Sequence, residues 1–182
     1  MLPANTVPMT RRCFFAAAGL SVATGAAGAG ESVRARDDLP KSALVSDGST
    51  KTYLLVFHTG QKVMNGLAAF ARAQRIEAGH VTGIGALSDW ILGYFDPQKK
   101  TYLRHHEEGQ AELLSLTGNV ALYENEPFFH VHVALGMKNG DGRGGHLFEA
   151  TVRPTVELYL TTYSRPIQRK IDPEWRVPLL DP

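Results

Sequence analysis

Several residue patterns on which common protein classes depend are missing from this sequence. The only cysteine among the 182 residues is Cys13, so an intrachain disulfide framework is excluded. No Gly-x-Ser-x-Gly segment is present, which argues against a serine hydrolase that uses that motif. Gly83 and Gly85 do not belong to a phosphate-binding loop, because a strand pattern rather than a helix follows them.

Long apolar runs are also missing, and the one short run lies near the N-terminus. Arg11 and Arg12 precede Cys13 and an alanine-rich stretch, and small residues continue to Ala29. This order is typical of a bacterial signal peptide, and the paired arginines favour twin-arginine export. We therefore predict a signal peptide over residues 1–29 and cleavage after Ala29. The mature protein would be periplasmic or exported, with no transmembrane anchor after cleavage. A basic N-terminus that arose by chance is the alternative.

The mature chain has no excess of positive charge. Residues 1–29 contain two arginines and no acidic residue, which leaves 17 basic and 18 acidic residues and a net charge of −1. Phosphate contacts supply most non-specific affinity for nucleic acids and require basic side chains. The charge balance and the expected export together argue against nucleic acid as a partner. Removal of Cys13 with the signal peptide would also exclude thiolate chemistry.

The mature sequence has the organisation of one domain. Residues 30–50 are polar and without apolar periodicity, so we predict a flexible leader there. The folded domain is expected over residues 51–177, followed by a C-terminal tail at 178–182. No internal repeat of 20–50 residues is visible.

Helix and strand patterns indicate an α+β domain. Residues 63–76 place apolar side chains along one helical stripe. Six or seven strand patterns joined by tight turns follow from Thr52 onward, which favours a largely antiparallel sheet. Ser88 separates two of these strand patterns, and the Thr-Gly-Asn segment at 117–119 predicts a bend or bulge. Several strands are apolar on both faces, so the sheet should be covered by helix or by another subunit.

The segment FFHVHVALGMKNGDGRGGHL, residues 128–147, carries the clearest chemical signal. Side chains in a strand alternate between faces, so His130 and His132 share one face. Four glycines in the seven-residue segment NGDGRGG predict a turn that folds the chain back as a hairpin. His146 would then lie on the neighbouring strand beside the other two histidines. Three imidazoles on one face are typical of a metal site, although polar residues of an ordinary strand face are the alternative.

Three stretches together resemble the PPC domain, the plant- and prokaryote-conserved domain. They are GIGALSDWILGYFD from Gly83, GQAELLSLTGNVAL from Gly109 and HVHVALGMKNGDGRGGHL from His130. The resemblance extends from about Thr52 to Trp175. It implies a seven-stranded antiparallel sheet flanked by helices and assembled as a homotrimer.

The resemblance also implies where the metal site lies. Prokaryotic members similar to this chain form a metal site from the His-x-His and Gly-Gly-His patterns, which fall on His130, His132 and His146. Zinc is the expected cofactor, and another divalent transition metal is the alternative. A site with three histidine ligands keeps an open fourth position. Glu112 and Glu149 are candidates for a supporting carboxylate, or for surface or interface residues.

Features of the plant members are largely absent here. Plant members bind AT-rich DNA through AT-hooks, and this sequence has no Arg-Gly-Arg-Pro core. Their partner-binding motif Gly-Arg-Phe-Glu-Ile-Leu corresponds to residues 109–114, where Gln110 and Ala111 differ from it. His105 and His106 belong to a polar cluster before Gly109 and are expected in a solvated loop. They are not expected to chelate a metal together, since adjacent histidines of a strand would face opposite ways.

Two functions therefore stay open from the sequence. One is a trimeric domain that binds a metal or a small-molecule ligand at the three-histidine site. The other is a zinc-dependent enzyme that uses a water at the open metal position. DNA binding, as in the plant relatives, is third.

Overall fold

Strands make up most of the described chain. A computed structural model describes residues 38–182, and this part contains eight β-strands and one α-helix. In chain order they are β1 (Lys41–Asp47), β2 (Lys51–His58), α1 (Val63–Gln74), β3 (Ala78–Asp96), β4 (Thr101–Tyr123), β5 (Glu126–Gly136), β6 (Gly142–Thr162), β7 (Gln168–Ile171) and β8 (Pro178–Asp181). The predicted α+β class is confirmed. The strands number eight rather than about seven, and the described residues contain one helix rather than several flanking ones.

All eight strands belong to one sheet, part of which closes on itself. The order is β1-β2-β6-β3-β4-β7-β8, and β5 pairs with both β4 and β6. Because β3 also pairs with β4 and β6, the long strands β3, β4, β5 and β6 form a closed circuit of antiparallel pairs. The β4–β7 pairing is parallel and joins Leu122 to Gln168. This circuit brings the β5–β6 hairpin against β3 and β4.

The predicted break at Ser88 lies inside one continuous strand. Strand β3 passes through Ser88, and its register with β4 and with β6 shifts between Leu87 and Asp89. Such a shift is the mark of a bulge, which bends a strand without ending it. The two strand patterns around Ser88 are therefore halves of one 19-residue strand.

The bend or bulge predicted at residues 117–119 is wrong. The β4–β5 pairing is regular from Leu116 to Tyr123. Gly118 instead allows two strands to approach closely, because a Cβ atom there would lie 2.4 Å from the carbonyl oxygen of His130. The glycine therefore indicated a packing constraint rather than a turn.

Helix α1 packs on the sheet through the predicted apolar stripe. Val63, Leu67 and Phe70 are buried and join the core of strand side chains around Trp90. Burial of each such side chain stabilises the fold by roughly 1.5–3 kcal/mol. The helix ends at Arg75, whose φ of 54° lies in the left-handed region that terminates helices. Within residues 38–182, no helix is long and apolar enough to cross a membrane.

Strands also form at both ends of the described chain. Residues 41–47 of the expected flexible leader form β1 and pair with β2. Residues 178–181 of the expected tail form β8 and pair with β7. All seven residues of β1 are exposed, so main-chain hydrogen bonds rather than burial hold the strand, and no apolar periodicity marks it.

Candidate metal centre

Strand β5 places His130 and His132 as the period-two pattern predicts. Val131 and Val133 are buried in the core. His130 and His132 alternate with these valines and lie on the opposite, outer face of the sheet. Their Nε2 atoms are 3.0 Å apart. The alternation that buries the valines therefore presents two imidazoles side by side.

The hairpin predicted from NGDGRGG is present and brings in the third histidine. His146 on β6 pairs directly with His132 on β5. The preceding Gly145 has a φ of 151°, and a Cβ atom there would lie 2.7 Å from the carbonyl oxygen of Gly93. Glycine is thus required where β6 approaches β3, immediately before the histidine.

The three imidazoles converge closely enough to share one metal ion. One ring nitrogen from each of His130, His132 and His146 lies within 4.8 Å of the others. Their ring centroids are 5.0, 5.2 and 5.5 Å apart. Nitrogens in a tetrahedral zinc site are separated by about 3.3 Å, given Zn–N distances of about 2.0–2.1 Å. Small side-chain movements would therefore bring the three nitrogens to ligand distance.

The imidazole ring of His146 contacts two aromatic rings. The ring centroids of Tyr102 and Phe148 each lie 4.8 Å from that of His146. The Nδ1 atom of His146 is buried, and no residue in the described part of the chain forms a hydrogen bond with it. A buried imidazole nitrogen normally has a partner. The unsatisfied nitrogen and the neutral donor set both fit a transition-metal site.

The local electrostatics keep the imidazoles of His130 and His146 neutral. Burial lowers the pKa of His130 to about 4, with further contributions from His132 and Arg169. Burial likewise lowers the pKa of His146 to about 4, and the neighbouring histidines, Arg104 and Arg169 add to the effect. Neutral imidazole is the form that binds metal, so both rings are ready for ligation at neutral pH.

An open pocket of about 360 Å³ adjoins His130 and His132. Its other lining residues are His80, Thr117, Gly118 and Asn119. These residues come from β3 and β4 and lie in cross-strand rows with the β5 histidines. His80 Nδ1 also contacts the hydroxyl of Tyr163 at 2.8 Å.

The sequence patterns did not predict this pocket, nor the contact of Arg169 with its lining residue Asn119. Asn119 belonged to the segment interpreted as a bend, and no sequence signal indicates that β4 places it beside His130. No local pattern predicts burial of Arg169, yet it is 5% exposed. A buried arginine is rare unless it is paired, and only the pairing of β7 with β4 explains its position.

The predicted supporting carboxylates do not reach the three histidines. Glu112 is exposed on β4. Its partner on β5 is Gly136, the last residue of that strand, which is six residues from His130 and four from His132. Glu149 accepts hydrogen bonds from the backbone N–H groups of Met64 at 2.8 Å and Asn65 at 3.2 Å. Burial raises the pKa of Glu149, and these backbone bonds partly offset the effect. Glu149 therefore caps the N-terminus of α1, which favours a negative charge.

A second polar cluster surrounds Asp89. Its carboxylate contacts His106 Nε2 at 2.5 Å, Thr151 Oγ1 at 2.8 Å and Lys62 Nζ at 3.2 Å. Burial opposes ionisation of Asp89, but these hydrogen bonds outweigh it, so its pKa lies below the usual range. His106 thus lies on strand β4 rather than in the predicted loop. Glu108 lies near this pair, but Lys62 already compensates the charge of Asp89.

The predicted signal-peptide residues Arg11, Arg12 and Ala29 lie outside the described residues.

Solved structures with the same fold come from bacteria and archaea. A plant- and prokaryote-conserved (PPC) protein from Pyrococcus horikoshii is 34% identical, with a TM-score of 0.68 over 78% of this chain and 95% of that one. A metal-containing protein from Archaeoglobus fulgidus is 29% identical, with a TM-score of 0.68 over 79% and 99%. A candidate DNA-binding protein from Bacteroides thetaiotaomicron is 25% identical, with a TM-score of 0.70 over 77% and 96%.

Sequence comparison finds similarity to part of a much longer protein and to one domain family. The bifunctional protein GlmU from Synechococcus sp. (strain JA-3-3Ab) is 33% identical over 115 residues, or 63% of this chain. The match spans only 16% of that relative's length. The family model of the Plants and Prokaryotes Conserved (PCC) domain, the PPC domain named above, matches residues 45–164. With the fold and the histidine pattern, this match shows that the chain belongs to the PCC domain family.

Proposed function

We propose that this protein is a metal-binding PCC-domain protein whose ligands are His130, His132 and His146. The observation that carries the proposal is the convergence of three imidazole nitrogens within 4.8 Å on one sheet face. Neutral imidazoles favour zinc, copper, nickel or iron over magnesium and calcium, which prefer oxygen ligands. Zinc is the first candidate because it imposes little geometric demand. The Archaeoglobus relative, a metal-containing protein, lends support.

Metal content measured by mass spectrometry tests this proposal. The wild-type mature chain, offered zinc and then desalted, should retain about one equivalent of metal. His132→Ala and His146→Ala should retain little, since each removes one of three protein ligands. His105→Ala is the matched control, because His105 is exposed on β4 and is not one of the three converging imidazoles. Equal metal in all four proteins, or none in the wild type, would refute the site.

A metal-dependent enzyme is the second candidate function. It is favoured by the open pocket that adjoins His130 and His132, since a substrate needs access to the metal. A divalent metal with an open position supplies Lewis-acid chemistry. Thr117 and Asn119 would then bind and orient the substrate from β4. Zinc-loaded protein that hydrolyses p-nitrophenyl acetate, with the activity lost in His132→Ala, would support this candidate. No turnover would favour a binding role.

We also propose that the domain assembles as a homotrimer. Five large apolar side chains in the described chain are at least half exposed: Val45 (51%), Ile84 (59%), Tyr94 (64%), Leu114 (60%) and Tyr159 (50%). Exposed apolar groups on sheet faces are typical of surfaces that another subunit covers. The three-subunit state itself rests on the family resemblance.

Export by the twin-arginine route completes the proposal. Arg11 and Arg12 are the residues on which that route depends. A full-length chain with Arg11→Lys and Arg12→Lys should stay in the cytoplasm with its N-terminal segment uncleaved. Fractionation of cells that express either version checks this. Equal recovery from the periplasm would contradict it.

A further inference from the structure

Asn119 occupies a central position beside the three-histidine site. It lies on β4, directly opposite His80 on β3 and His130 on β5. Its side chain lines the open pocket together with Thr117 and both β5 histidines. An amide offers one acceptor atom and one donor group, so its orientation decides what it presents to a ligand.

Arg169 determines that orientation. Arg169 is 5% exposed, and its guanidinium donates to Asn119 Oδ1 and, at 2.9 Å, to the carbonyl oxygen of Pro178. A guanidinium can only donate hydrogen bonds, so the oxygen of the amide must face it. The Asn119 Nδ2 group is then the amide donor that remains, and no residue between 38 and 182 accepts from it. A donor is therefore available for a ligand in the pocket.

The charged side chains that act on His130 and His146 are both arginines. No aspartate or glutamate lines the pocket. Arg169 acts on His130 and His146, and Arg104 acts on His146. The Arg104 guanidinium lies 3.8 Å from the ring centre of Phe148, which contacts His146. Neutral imidazoles add no negative charge to balance a bound divalent metal. Such a site favours an anionic ligand.

We propose that this pocket binds a small oxyanion, of the carboxylate or phosphate class, which accepts a hydrogen bond from Asn119 Nδ2. The inference rests on the proposed metal site, since the metal would supply the largest share of the positive charge. A purely structural role for Arg169, tying β7 to β4 through Asn119, makes a different prediction. In that case, changes at Asn119 would alter the stability of the fold but not the affinity for anions.

Asn119→Asp separates the two roles. The aspartate has the same shape and still accepts from Arg169, but it loses the donor and adds a negative charge. Asn125→Asp is the matched control, because Asn125 is an exposed residue of the β4–β5 turn and does not line the pocket. Arg104→Met is a further variant that removes one cation from an exposed position while an unbranched apolar stem remains over Phe148.

The experiment uses the mature protein loaded with cobalt(II), whose visible spectrum reports the ligands of the metal. Acetate and phosphate are titrated separately, with acetamide as the neutral probe. Acetate or phosphate should change the wild-type spectrum, and acetamide should not. Asn119→Asp should weaken anion binding by at least about thirtyfold, the loss expected for a charged hydrogen bond and an added like charge. Arg104→Met should weaken it about tenfold, and Asn125→Asp should match the wild type.

Failure of the metal site and failure of the oxyanion inference give different results. If the wild type takes up no cobalt, the metal site and the oxyanion inference are both wrong. If cobalt binds but Asn119→Asp and Arg104→Met respond to anions as the wild type does, the metal site stands and the oxyanion inference falls. Thermal unfolding of each variant identifies one that has lost its fold, and Arg104→Met then decides the question without Asn119→Asp.

Discussion

Acid should destabilise the metal-free protein through His130 and His146. An unperturbed imidazole protonates near pH 6.5, whereas burial lowers the pKa of both rings to about 4 in the folded protein. Between these values the unfolded chain binds more protons than the folded one. The free energy of unfolding therefore falls as the pH drops from about 6.5 to about 4. This contribution to stability is complete above pH 6.5.

The expected size follows from the same pKa values. A change from 6.5 to about 4 corresponds to roughly 3 kcal/mol for a fully buried group. Both rings are only half-buried, so solvent screening reduces the expected contribution to about 1–2 kcal/mol per histidine. Removal of one ring as a titrating group should abolish about half of the combined effect.

Urea unfolding of chelator-treated protein at pH 7.0 and pH 4.5 measures this effect. The stability difference between the two pH values should be about 1–2 kcal/mol smaller in His146→Gln than in the wild type. Other groups, including the raised pKa of Glu149 and the lowered pKa of Asp89, contribute to both proteins and cancel in the comparison. His105→Ala should behave as the wild type. Parallel losses in wild type and His146→Gln would refute the assigned electrostatics.

Three further predictions concern the helix cap, the assembly and nucleic acid. Glu149→Gln should lower the free energy of unfolding at pH 7 by about 1 kcal/mol, because the amide nitrogen of glutamine cannot accept from a backbone N–H of α1 and one of the two hydrogen bonds is lost; an unchanged urea midpoint would contradict the cap. Light scattering on the mature chain should give three times the monomer mass, and a monomer at micromolar concentration would exclude the trimer. AT-rich duplex DNA should not bind to the mature chain at physiological salt, since the net charge of −1 expected after removal of residues 1–29 provides few phosphate contacts; a sub-micromolar, salt-sensitive gel shift would be the contrary result.

Local pattern was sufficient to predict much of this protein. The alternation of valine and histidine at residues 130–133, the apolar stripe of 63–76 and the glycine-rich turn before His146 are all short-range signals. Each depends only on the period of a strand or helix, or on the backbone freedom of glycine. The helix, the β5–β6 hairpin and the shared face of His130 and His132 were therefore predictable from these residues, and the structure confirms them.

Tertiary pairing decided the rest. Strands β1 and β8 form through backbone hydrogen bonds at sheet edges, which leave no apolar pattern in the sequence. Glu149 caps a helix more than eighty residues away, and Asn119 and Arg169 meet only because β7 lies beside β4. Such contacts join residues that are distant along the chain, and no local periodicity encodes them. The sequence by itself thus determined which side chains could bind a metal, and the closed circuit of β3, β4, β5 and β6 decided what surrounds them.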